Sequence, residues 1–200
     1  MTQSAHCSRY EESRDKALEL FALKGFGQVS MRELAAHLGL TAGSLYHHFP
    51  SKQHLLFDLI EELHEELLAT LAPGPRHARN GANPLSRLIQ AHWNLHRERP
   101  LQFRLAERDL CCLSETQQQQ IRNLREQYEL QLLKLIAPQP SLVGAELKAA
   151  GHAIANLLNH LPGWLEDCQL PALQRQALME NLVVGAIERT LLACGISSAA

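Results

Sequence analysis

Residues 30–55 read SMRELAAHLGLTAGSLYHHFPSKQHL, and the fold of the whole chain turns on them. Met31, Leu34, Ala35 and Leu38 recur at i, i+3, i+4 and i+7, the apolar stripe of a short α-helix. Ser30 with Glu33 spells a capping box that fixes where this helix begins. Gly39 can take a positive φ without a Cβ clash, so the chain can reverse there. Thr41 is placed to cap a second short helix, whose Leu45 and Phe49 point into the same small core. Its other face carries Ala42, Gly43, Ser44, Tyr46 and His47 in place of the Glu/Lys mixture of a solvated helix. That composition suits a helix that lies against something. Helix, Gly-containing turn and second helix together predict a helix-turn-helix.

The run Thr41-Ala42-Gly43-Ser44-Leu45-Tyr46-His47-His48-Phe49-Pro50-Ser51-Lys52-Gln53-His54-Leu55 resembles the signature of TetR-type transcriptional regulators. Gly25-Phe26 with Val29-Ser30 is similar to that family's link between its first two helices, and the resemblance spans residues 9–70. It implies an all-α fold: an N-terminal three-helix helix-turn-helix domain, joined by a connecting helix to a helical ligand-binding and dimerisation domain. On this reading residues 1–52 form the DNA-binding domain, the helix 52–71 connects, and 72–200 form the effector-binding and dimerisation domain.

The rest of the chain reads as helix throughout. Residues 1–8 look frayed, and Arg9 to Lys24 is amphipathic with Ala17, Leu20 and Phe21 inward. Ser51 is placed to cap the connecting helix, which carries Leu56, Leu59, Ile60, Leu63 and Leu67 on one face. Its other face has Asp58, Glu61, Glu62, Glu65 and Glu66, so only its N-terminal end can approach phosphates. Ala72 to Pro84, with its Pro and Gly residues, is the clearest break. Five helical stretches are expected beyond it: Leu85–Arg99, Leu101–Leu113, Glu115–Ile136, Ser141–Asp167 with a kink at Pro162-Gly163, and Pro171–Cys194 ending at Gly195. No repeats and no strand-like alternation occur.

Charge and composition bound the function. The formal net charge is −2, so no global basic character announces nucleic acid, and DNA affinity has to come from local placement of cations and helix ends. The five cysteines, Cys7, Cys111, Cys112, Cys168 and Cys194, show no zinc-like or redox spacing, and point to reduced thiols in a cytoplasm. Adjacent Cys111 and Cys112 read as a redox sensor or as small buried hydrophobes. No window reads as a membrane span or a signal h-region, so no membrane partner and no cofactor are expected.

The DNA contacts follow residue by residue. Ser30, Arg32 and Thr41 can bond phosphates. Thr41, Ala42, Gly43, Ser44 and Tyr46 face the major groove in this reading, Gly43 letting the backbone sit close and Ala42 meeting a thymine methyl. The resemblance implies that Tyr46, His47 and Lys52 grip the phosphate backbone. The last two helices carry Leu147, Ile154, Leu157, Leu158 and Leu161, and Leu178, Leu182, Val183, Ala186, Ile187 and Leu191. Periodicity leaves open whether these close a monomer core or pair two chains. The resemblance implies a homodimer through these helices, which also suits a two-fold operator in double-stranded DNA.

Candidate effector residues are His92, Trp93 and His96 on one helix, Phe103 and Tyr128 on others, and His152, Asn156, His160 and Trp164 on the next. The polar stripe His152, Asn156, Asn159 and His160 faces either a pocket or a dimer interface. A His pair at i, i+4 can bind a metal, but no carboxylate or cysteine completes the set, and no metal is expected. Asn159 to Leu165, NHLPGWL, is similar to a segment of TetR-type regulators of lipid and acyl-CoA metabolism, which implies an apolar acyl or aromatic effector. The expected function is therefore a dimeric, ligand-responsive repressor released from its operator by a small molecule. A DNA-bound adaptor of the same fold without a pocket is the alternative. An enzyme using Cys111 or Cys112 as nucleophile has no elbow, phosphate loop or carboxylate pair to support it.

Overall fold

The computed structural model describes residues 2–72 and 83–192, with side chains for 10–72 and 83–191. Those residues fold as helices and the turns between them. In order they are α1 (Thr2–Lys24), a 3₁₀ turn (Phe26–Gln28), α2 (Met31–His37), α3 (Ala42–His48), α4 (Lys52–Ala69), α5 (Pro84–Glu98), α6 (Pro100–Arg108), a 3₁₀ turn (Leu110–Cys112), α7 (Glu115–Ile136), α8 (Gly144–Glu166) and α9 (Ala172–Ile187). α9 runs on into a π-helical turn, Glu188–Leu192. They form two compact units. One is Met1–Glu65 with Arg99–Asn123; the other is Glu66–Glu98 with Leu124–Ala200.

In the first unit, Ala17, Leu20 and Phe21 of α1 are buried with Phe26, Leu34, Ala35, Leu45, Phe49, Leu55 and Leu56. Phe21 meets Phe26 edge-on at 5.3 Å, and Tyr10 stacks on Phe49 at the same distance. α6 lies along α1, so the helix after Arg99 belongs to this unit although it is distant in sequence. In the second unit α5 packs on α8 and α9, and α8 on α9. Leu88, Ile89 and Trp93 are buried with Ile154, Leu158, Leu161, Met179, Val183 and Ile187. Gly151 marks a close approach of α7 and α8: a Cβ there would stand 2.7 Å from Leu133 Cδ1.

Several boundaries differ from expectation. α1 begins at Thr2, not Arg9. α6 stops at Arg108 and hands over to the 3₁₀ turn at Asp109 (φ −107°), so Leu101–Leu113 is not one helix. α8 starts at Gly144, whose φ of +58° a side chain would resist, and it continues through Pro162 to Glu166. Pro171 is the residue before α9 rather than part of its first turn. Most of the Ala72–Pro84 break and the expected end at Gly195 lie outside the described residues.

Candidate nucleic-acid interface and effector region

The helix-turn-helix is built by its caps. Ser30 Oγ accepts the Glu33 N–H (3.2 Å), and the Glu33 carboxylate accepts in return from the Ser30 backbone N–H, the capping box its spacing announces. The carboxylate also binds Lys24, and that hydrogen bond, ahead of the other influences, holds it below the usual carboxylate range. α2 ends in a Schellman motif: Leu40 N–H bonds Ala35 O (2.9 Å) and Gly39 N–H bonds Ala36 O (3.2 Å), with Gly39 at φ +67°. Thr41 Oγ1 then caps α3 at Ser44 N–H (3.1 Å). Ser51 Oγ does the same for α4 at His54 N–H (3.0 Å).

These turns bury Leu45 and Phe49 at 1% exposure each and leave Ser30, Arg32, Thr41, Ala42, Gly43, Tyr46 and His47 on the outside, with Ser44 half-buried. Nothing stands within 4 Å of a Cβ added at Gly43, so that edge of α3 is open. Lys52 is different. Its ammonium donates to Phe26 O (2.9 Å) and Val29 O (2.7 Å) and sits 4.3 Å from the Phe26 ring centroid. It ties the start of α4 to the loop that enters α2. Behind it, Arg108 donates to Phe21 O (2.6 Å) and Ala22 O (3.1 Å), the last carbonyls of α1, while paired with Asp109 (2.7 Å). The hydrogen bond to Asp109 holds the guanidinium pKa up. The acidic side of α4 is partly buried, and desolvation raises both Asp58 and Glu61.

The effector candidates separate into two groups. His92, Trp93, His96 and Tyr128 lie inside the second unit, exposed by 1, 4, 7 and 4%. Leu88 O can only accept, so His92 Nδ1 carries the proton toward it (3.0 Å) and Nε2 accepts the Tyr128 O–H (2.5 Å). Burial pushes the His92 pKa down to about 4 and the Tyr128 phenol well up. Both ring nitrogens of His92 are thereby engaged, and among the described residues no group of three or more His, Cys, Asp or Glu is placed to hold a metal. His96 faces Gly163, whose added Cβ would come 3.3 Å from Nε2, and burial lowers its pKa against the pull of Glu166.

On α8 the picture reverses. His152 is exposed and bonds Glu129 (2.7 Å), Asn156 and His160 are half-buried, and Trp164 is 61% exposed. Asn159 Oδ1 is shielded from solvent and meets no donor among the described residues. Phe103 sits half-buried on α6 in the first unit, a different unit from the other candidates. Sequence reasoning missed Arg108 and Glu129, whose partners lie 87 and 23 residues away, and no local pattern signals such pairings.

The described residues are helical and carry a capped helix-turn-helix, which defines the class as helix-turn-helix folds. Residues 14–59 match the family model of the bacterial regulatory proteins of the tetR family. The chain is 35% identical over 81 residues to the HTH-type transcriptional repressor KstR2 of Mycobacterium tuberculosis, across 40% of this chain and 39% of that protein. It thus spans well under half the length of this curated relative. The fold is shared with a tetR-family regulator from Rhodococcus RHA1 (TM-score 0.74, 23% identity, 94% of this chain and 98% of that one). It is shared also with AibR, solved with isovaleryl coenzyme A and operator DNA (TM-score 0.68, 20% identity, 87% and 97%). Among the described residues no helix is long and apolar enough to cross a membrane.

Proposed function

We propose that the protein is a dimeric transcriptional repressor that binds a short palindromic operator through α3 and leaves it when a largely apolar small molecule binds the second unit. The observation that carries the DNA part is the exposed face Thr41, Ala42, Gly43, Tyr46 and His47 on a helix whose other side is buried. Small side chains let the backbone approach a groove wall, and Tyr46, His47 and Arg32 supply phosphate contacts at its edges. Lys52 contributes mainly by fixing α4 against the loop before α2, with one of its three N–H groups left for a phosphate. The pairing surface is read from Trp164, Leu178 and Leu182, apolar side chains 61, 39 and 45% exposed on α8 and α9.

The effector part is supported by the orphan acceptor of Asn159 and by AibR, a protein of this fold that holds an acyl coenzyme A together with operator DNA. The adaptor reading has its own support, because His92, Trp93 and Tyr128 already fill and satisfy the interior.

Fluorescence anisotropy with genomic fragments tests the first part. Operator affinity should fall as salt rises, since counterions are released at each phosphate contact. Gly43→Glu should abolish binding with helix content and size unchanged, because it sets a carboxylate against phosphates at an open position. Survival of binding in that variant would remove α3 as the docking face. A thermal-shift screen of acyl-CoAs, fatty acids and aromatic compounds, followed by operator release, decides between effector and adaptor. A screen without a single stabilising compound favours the adaptor.

A further inference from the structure

Within the first unit, the 3₁₀ turn Leu110–Cys112 carries two neighbouring thiols that nothing in DNA binding requires. Cys111 is exposed and Cys112 half-buried. They lie against one another: after burial, the charge of Cys111 and a hydrogen bond with it keep the Cys112 thiol above its usual range. The turn is pinned on both sides. Gln53 Nε2, in the first turn of α4, donates to Cys112 O (2.8 Å), and Cys112 N–H donates to Asp109 O (2.9 Å). Asp109 holds Arg108, which grips the last carbonyls of α1.

We propose that Cys111 and Cys112 form a two-thiol site for a trivalent organoarsenical, which closes a ring across the turn and loosens its hold on α4. Consecutive Cα atoms are about 3.8 Å apart, shorter than the roughly 4.4 Å at which ordinary disulfides begin. A direct disulfide is therefore strained here, whereas a bridging arsenic atom lengthens the span between the sulfurs. The step is redox-neutral. An arsenoxide R–As=O condenses with two S–H groups, two As–S bonds form, the As–O bond breaks, and the oxygen leaves with both protons as water. Closing the ring reorients the Cys112 side chain and its peptide, which withdraws the carbonyl from Gln53. On the function proposed above, the start of α4, which directly follows α3 in the chain, then loses an anchor.

Phenylarsine oxide is the probe, with retention after a monothiol wash read by intact mass and by thiol titration. Wild type and the triple variant Cys7→Ser/Cys168→Ser/Cys194→Ser should each retain one arsenical less one water and lose two thiols, and a dithiol should reverse both. Cys111→Ser and, separately, Cys112→Ala should lose the arsenical in the monothiol wash. Retention in either single variant, or none in the triple variant, overturns the site. A second arm measures operator binding by the triple variant, where the arsenical should weaken it at least tenfold. Unchanged affinity in a protein that carries the arsenical overturns the coupling to α4. Failure to bind operator before any arsenical is added counts against the DNA reading alone, and the mass result still judges the thiol site.

Discussion

Lys52 and Arg32 are both cations of the helix-turn-helix, and their surroundings assign them different work. Lys52 gives two N–H groups to main-chain carbonyls, Val29 O and a Phe26 O that also accepts the Val29 N–H, so Lys52→Met should cost about 1–3 kcal/mol of stability. Arg32 is exposed, and Arg32→Ala should leave urea denaturation unchanged while reducing the salt slope of operator binding by about one. The reverse pattern would exchange their roles. His92 makes a pH prediction. Buried and neutral with a pKa of about 4, it takes up its proton far below the 6.5 of the unfolded chain. The unfolded state therefore binds more protons between these values, and stability falls as pH drops from 6.5 to about 4, then levels off. The loss is about 3 kcal/mol at most. Denaturant unfolding across that range should show this drop, and the difference between wild type and His92→Gln should isolate it.

At the scale of elements, what the sequence makes legible is what is local. Ser30, Thr41 and Ser51 each cap the helix their spacing announces, and the inward residues of α1 and α4 are buried as their periodicity requires. The failures are tertiary. No local pattern announces that Lys24 joins the Glu33 carboxylate, or that α6 breaks at Asp109, where Arg108 is held by α1. Composition marks the effector candidates, and it cannot tell the buried His92 from the exposed His152: both are histidines on apolar helices. Close approach is half legible: Gly151 is small enough to admit a neighbouring helix, but that the neighbour is Leu133 of α7 is visible only in the fold. Gly151→Ala should destabilise by about 1–3 kcal/mol despite the better helix propensity of Ala. Adding Leu133→Ala should recover part of that loss, and a double-mutant cycle by denaturant unfolding measures the coupling. Additive effects would mean that α7 and α8 do not press together there.

For the whole molecule, the proposed dimer is what turns one short helix into a specific reader of two half-sites. Leu182→Glu places a charge in the exposed apolar face of α9 while sparing the buried Val183 and Ile187. Sedimentation should then report a monomer, and operator affinity should drop on the order of 100-fold as the second half-site is lost. A variant that stays dimeric would move the pairing surface elsewhere.

α3 is only seven residues long, and helices of that length do not persist alone in water. Its shape is on loan from Leu45 and Phe49, the latter stacked on Tyr10. Warming should therefore melt α3 locally before the rest of the fold gives way. On the proposed function, gene control would then carry a thermal limit lower than the protein's own melting temperature, and DNA release would precede the loss of helical signal on a heating ramp.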